Sequence, residues 1–277
     1  MLSKICLLLL PSIATGLVFA QDNSAKPEIS VATQWLLDGV KSPAQKGVVK
    51  SVLMIVCRKD NKKGTGFALS GGDIVTTNSH VVGTCTAEEL EATSSLGNAI
   101  KFTSLVRDEN RDLALLCAAK SLPPGLPLAG DVNPPIETEI ETWGYPLSYQ
   151  DFAPILSRGY VAGYSQKTQK QENGTFGPPV RHLIINGAFN PGNSGGPLID
   201  RNTGKIVGVV VTKCTLFSPL THDVIRSLHN SRAKVNYFRS TDANGNLFEG
   251  SNEDAIAMAL EEFYNSTQVM IGEAVSV

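Results

Sequence analysis

Residues 49–77 read VKSVLMIVCRKDNKKGTGFALSGGDIVTT. Val52 to Cys57 is an unbroken apolar run rich in β-branched residues, and with Val49 it predicts one strand. The polar turn Asp60 to Gly64 ends it. Gly66 to Ser70 predicts a second strand, Gly71 and Gly72 turn the chain, and Asp73 to Thr77 predicts a third. Three short runs joined by glycine-bearing turns predict an antiparallel meander.

Outward from this stretch the same texture continues. Strands are predicted at Ile100–Val106, Leu113–Cys117, Ile140–Trp143, Gly159–Tyr164, His182–Ile185 and Lys205–Thr212. Many short strands with Gly and Pro punctuation predict an all-β barrel or sandwich. The Pro-rich segment Pro123 to Pro135 is the natural boundary between two halves. Helical text flanks the β region. Residues 28–42 carry Ile29, Trp35, Leu36 and Val40 at helical spacing. Pro219–Leu228 predicts a short helix, and Ser251–Tyr264 a longer one with Ile256, Leu260 and Phe263 on one face. Glu253 and Asp254 in its first turn suit the helix dipole.

The chain has 277 residues, 42% apolar and 18% charged, with a formal charge of −2. That mild acidic balance argues against a nucleic-acid partner. Residues 1–20 read as an export signal: Lys4, then Ile5 to Leu10, then Val18-Phe19-Ala20 as a small-residue cleavage site. This predicts a periplasmic or secreted protein. No stretch is long enough to span a membrane as a helix. Cys57, Cys85, Cys117 and Cys214 follow the signal, and an even count in an exported chain predicts two disulfides with three connectivities. No zinc-binding spacing and no cofactor motif is present, so no metal and no cofactor is expected. Arg58, Lys59, Lys62 and Lys63 read as a solvated hairpin turn, and Glu88, Glu89 and Glu91 as a solvated face.

The chemistry concentrates in residues 189–199, FNPGNSGGPLI. Ser194 stands among Gly192, Gly195 and Gly196, with Pro191 and Pro197 bounding the loop. Such a loop exposes a hydroxyl and lets neighbouring N–H groups converge beside it, the layout of a nucleophile with an oxyanion hole. Of the four histidines, His80 closes a predicted strand, where a base is held rigidly. Asp112 precedes the apolar run Leu113 to Leu116, so its partly desolvated carboxylate needs a donor such as a histidine N–H. Asp108 and Asp131 are the alternatives.

These motifs resemble the trypsin superfamily of serine proteases, and most closely its HtrA/Deg-like branch. Gly64-Thr65-Gly66-Phe67 with Thr76 to Val82 resembles the histidine region, Asp112 to Leu116 the aspartate region, and Asn190 to Leu198 the serine loop. The resemblance implies a chymotrypsin-like fold: two six-stranded antiparallel Greek-key β-barrels with short N- and C-terminal helical extensions. The corresponding division is an extension at 21–48, a first barrel at 49–122 carrying His80 and Asp112, a second at 123–230 carrying Ser194, and an extension with a helix at 231–277. It implies an endopeptidase acting on polypeptides, with Ser194 as nucleophile, His80 as base, Asp112 orienting it, and Gly192, Asn193 and Ser194 forming the oxyanion hole.

Three departures qualify the resemblance. Asn193 stands where digestive members carry an aspartate that pairs with a freed N-terminus, which argues against that mode of activation. The chain after Leu228 is too short for a PDZ domain. Ala188 occupies the position of the trypsin specificity aspartate, and with Val209, Val210 and Val211 as pocket wall this predicts cleavage after small or medium aliphatic residues. Two rivals remain. Gly192-Asn193-Ser194-Gly195-Gly196 contains a Gly-x-Ser-x-Gly core, the nucleophile elbow of an esterase or lipase. A protease fold with a closed oxyanion loop would instead be a catalytically silent binding protein.

Overall fold

The computed structural model describes residues 31–276 apart from 124, 131–132, 148, 150–152, 169–173, 214–218, 231–236, 242–246 and 267–269. The predicted export signal, Ile29, Asp131 and Cys214 lie outside the described residues. Two helices come first, α1 (Val31–Gly39) and α2 (Pro43–Ser51). Pro43 suits the start of α2, where its missing N–H costs nothing. This helix captures Val48 and Val49, so the first strand, β1 (Val52–Cys57), begins three residues later than predicted. Leu36 and Leu37 on α1 and Val40 just after it pack inward, while Trp35 faces solvent.

The predicted meander follows as β2 (Lys62–Ala68) and β3 (Ile74–Thr77), and then comes a single helical turn, α3 (Ser79–Val82). The strands β4 (Glu91–Ser94), β5 (Ala99–Ile100), β6 (Phe102–Asp108) and β7 (Leu113–Ala118) complete the first sheet, in the order β5-β4-β1-β2-β3-β7-β6. Its two edges, β5 and β6, are separated in sequence only by Lys101. One bent strand therefore pairs with β4 at one end and β7 at the other, and curls the sheet round on itself. Leu53, Ile55, Val75, Phe102 and Leu116 fill the interior.

The second unit is a closed barrel. Its strands are β8 (Glu139–Gly144), β9 (Ile155–Lys167), β10 (Val180–Gly187), β11 (Pro197–Asp200) and β12 (Ile206–Lys213). After β12 come α4 (Pro219–His229), the hairpin β13 (Tyr237–Thr241) and β14 (Leu247–Ser251), α5 (Asn252–Ser266) and β15 (Ile271–Ser276). The barrel order is β10-β15-β12-β11-β8-β9. The sequence reading ends the second barrel at 230, but the structure takes β15 into it. Ala274 and Val275 are fully buried between β10 and β12. The helices and the hairpin are thus an insertion ahead of the closing strand.

The Pro-rich connection stitches the barrels together: Leu126 N–H donates to Ala68 O, and Ile206 N–H to Pro127 O. An apolar seam of Val49, Phe67, Leu126, Trp143, Tyr145 and Val209 lies between them. Cys57 and Cys85 form a disulfide, which ties the end of β1 to the chain just beyond α3. Cys117 is a free thiol, so the second bridge predicted from the even count is not formed.

Candidate active site

His80 sits on α3, immediately after β3, and β3 is the neighbour of β7 in the sheet. Asp112 stands one residue before β7, so strand pairing alone brings the two together. The contact is double. Asp112 Oδ1 accepts the His80 backbone N–H at 2.9 Å, and Oδ2 lies 2.6 Å from His80 Nδ1. Asp112 also uses its carbonyl, which accepts from Ser79 N–H at 3.2 Å and from Asn78 Nδ2 at 2.8 Å. Its φ of +53° is a left-handed conformation that aspartate tolerates better than most residues. With the carboxylate on Nδ1, that nitrogen carries the proton and Nε2 presents a lone pair. The carboxylate is shielded and the imidazole half-exposed. Arg107 donates to the carbonyls of Gly83 and Cys85 and so fastens the chain that leaves α3. Asp108, the other described candidate acid, pairs instead with Arg111.

The serine loop is built against the first barrel. Gly192 and Gly195 have φ of +98° and +84°. A side chain would place its Cβ 2.3 Å from Tyr145 O at Gly192, and 2.1 Å from Thr65 O at Gly195. Thr65, in the motif Gly64-Thr65-Gly66-Phe67, is a functional residue that the motif alone does not assign. It is fully buried, and its N–H donates to Ser194 O at 2.8 Å. Its hydroxyl donates to Gly192 O at 2.7 Å and accepts from Tyr145 N–H at 3.0 Å. The Gly-Thr-Gly pattern, a polar residue between two glycines inside a strand, was the available signal. Among the described residues, the N–H groups of Gly192 and Ser194 donate to no backbone or side-chain acceptor. Asn193 N–H is different: it donates to Asn190 O at 3.0 Å, so it is no oxyanion donor. The Asn193 side chain is buried, and neither its oxygen nor its nitrogen has a hydrogen-bond partner.

Ser194 Oγ donates to Val211 O at 2.9 Å and not to His80. Val211 is the extra residue of a bulge: Val210 pairs with Ala274 and Thr212 with Glu273, which leaves Val211 without a partner on β15. Of the four predicted pocket residues, Val210 is buried in the second barrel, and Val209 is buried in the seam, where it lines a cavity of about 590 Å³ with Phe67, Leu69, Leu113, Leu115 and Leu128. Ala188 and Val211 are only partly buried. No nucleophile elbow is present, because the chain after Ser194 turns into β11 and not into a helix.

Two further titratable groups lie close by. Lys63, next to Gly64, donates to Tyr149 O at 3.3 Å, and burial lowers its pKa. His182 on β10 is buried beside Glu273. Burial lowers its pKa, and the neighbouring Glu273 opposes that shift.

The family model for the trypsin-like peptidase domain matches residues 64–209. The chain is 32% identical over 160 residues to the serine protease Do-like HtrA of Lactococcus lactis, covering 56% of this chain and 38% of that protein. It is 30% identical over 158 residues to the serine protease HtrA-like of Staphylococcus aureus, covering 55% of this chain and 20% of that protein. It therefore spans well under half the length of these curated relatives. Among solved structures, the inactive form of a serine-to-alanine mutant of Rv3671c from M. tuberculosis H37Rv matches with a TM-score of 0.53 at 25% identity, covering 69% of this chain and 84% of that one.

Proposed function

Since the chain belongs to the trypsin-like peptidase domain family, we propose that it is an exported serine endopeptidase with Ser194, His80 and Asp112 as its catalytic triad. The observation that carries this reading is the double hold of Asp112 on His80, which leaves Nε2 free to act as a base. Ser194 attacks the peptide carbonyl as His80 takes its proton. Asp112 holds the imidazole in the useful tautomer and stabilises the imidazolium. The unengaged N–H groups of Gly192 and Ser194 receive the oxyanion, a donor of this kind being worth about 3 to 4 kcal/mol in the transition state. His80 then gives its proton to the leaving amine, and water, activated by the same base, hydrolyses the acyl-enzyme.

The loop is ordered without the buried ion pair of digestive enzymes. Asn193 is uncharged, and Thr65 supplies the hold instead. Substrates are polypeptides cleaved after small or medium aliphatic residues, because Ala188 offers no carboxylate to a basic side chain. Valine-ending peptide substrates are then turned over faster than arginine-ending ones, and the reverse order would discard this specificity. The test of the activity itself compares casein hydrolysis by wild type, Ser194→Ala and His80→Ala. Each substitution lowers turnover on the order of 10⁶-fold. Undiminished hydrolysis by Ser194→Ala would overturn the assignment.

A further inference from the structure

The first barrel has a second opening, at the end away from His80. The β3–β7 register runs from Thr77 and Ala114 near the candidate site to Ile74 and Cys117 at the other end. There the bend at Lys101 interrupts the closing strand, and a cavity of about 430 Å³ enters the barrel. Its floor is apolar: Leu53, Leu96, Ile100 and Leu122, with Leu53 almost fully buried in the core. Its rim carries Lys50 from the last turn of α2, Lys101 from the bend and Lys120 from the chain after β7. No acidic residue lines it. Among the described ion pairs none involves these lysines, and the carboxylate that senses Lys101, Glu91, is held by Arg58.

We propose that this cavity binds a medium-chain fatty carboxylate, with its alkyl chain on the leucine and isoleucine floor and its headgroup among the three lysines. The volume is that of a small-molecule site. A compact anion would leave the apolar floor wet, and a neutral lipid would leave the three like charges of the rim uncompensated. Only a ligand that joins one negative end to one apolar tail uses both halves of the site. None of His80, Asp112 and Ser194 lines this cavity, so the inference is independent of the proposed protease activity.

The test is a titration of the purified protein with octanoate, decanoate and dodecanoate, each below its micelle concentration, read by displacement of a dansylated undecanoate. Decyltrimethylammonium is the headgroup control. Saturable binding is expected, tightening about fourfold for each methylene that enters the cavity, with decanoate preferred over the cation of equal chain length. Lys101→Glu with Lys120→Glu is expected to weaken decanoate about tenfold and not the cation. Circular dichroism checks that the variant keeps its fold. Equal binding of decanoate and decyltrimethylammonium by wild type would overturn the proposal without any variant. So would the absence of saturable binding below about 1 mM, or tighter displacement by a peptide ending in a free leucine carboxylate.

Discussion

Replacing Thr65 with valine tests how the serine loop is held. Valine keeps the shape of threonine but removes the hydroxyl. Two buried groups then lose their partner, the carbonyl of Gly192 and the N–H of Tyr145. Each orphaned group costs about 1 to 3 kcal/mol, so the pair costs at least about 2 kcal/mol. Carried entirely by the loop, that minimum lowers its ordering equilibrium constant about thirtyfold. The assay is the rate of Ser194 labelling by a fluorophosphonate, with the thermal midpoint measured alongside. Labelling is expected to slow by up to about thirtyfold and the midpoint to fall by about 4 to 8 °C. Thr65→Ser retains the hydroxyl and is expected to restore the rate to within about threefold. If the valine variant labels at the wild-type rate and melts at the wild-type temperature, Thr65 does not order the loop.

Other consequences concern stability. The Cys57–Cys85 bridge closes a loop of sequence separation 28, and removing it as Cys57→Ala with Cys85→Ala should cost about 3.5 kcal/mol. Scanning calorimetry should then show a midpoint lower by about 10 °C, and an unchanged midpoint would contradict the estimate. His182 binds its proton less readily folded than unfolded. Its unfolded value is near 6.5, so the unfolded chain holds more protons just below that pH. Its contribution is complete above that value and is lost as the pH falls towards the lower folded pKa. Stability measured in urea should fall on acidification through this window, and less so in His182→Gln; parallel curves would exclude His182 as a cause. A chain ending at residue 270 lacks β15 and leaves β10 and β12 without their shared neighbour. Its second barrel should show no cooperative unfolding by near-ultraviolet circular dichroism, whereas a retained sharp transition would mean that β15 is dispensable.

Local pattern disclosed the strands whose two faces are both apolar. β1 and β12 coincide with runs of Val, Ile and Leu, because a strand buried on both sides needs no alternation. β4 and β15 escaped the same reading. β4 is Glu-Ala-Thr-Ser, and β15 mixes Gly, Glu and Ala with its single pair of branched residues. Each is defined by what it pairs with, and register against β1, or against β10 and β12, is a tertiary fact. The double contact between His80 and Asp112 was foreseeable in kind, since a carboxylate at the mouth of a buried strand needs donors. The Gly-Thr-Gly pattern marks Thr65 as unusual but does not name its partners, because all three contacts come from residues at least 80 positions away. Val209 and Val210 are consecutive, so they point to opposite faces of β12, one into the seam and one into the second barrel.

The resting position of Ser194 bears on whether the site is silent. Its hydroxyl is held by Val211 O, at the bulge residue of β12 that has no partner in the register with β15. To reach Nε2 of His80 the hydroxyl must leave that acceptor. A single neutral hydrogen bond contributes about 1 kcal/mol net, or about fivefold in population. An extended peptide laid along β12 also offers a backbone N–H to the same carbonyl, and competes with the hydroxyl for it. A hold of this size is weak against the binding energy of a peptide strand. The alternative of a binding protein with a disabled site therefore draws no support from the serine's hydrogen bond, and among the described residues no acceptor occupies the N–H groups of Gly192 and Ser194.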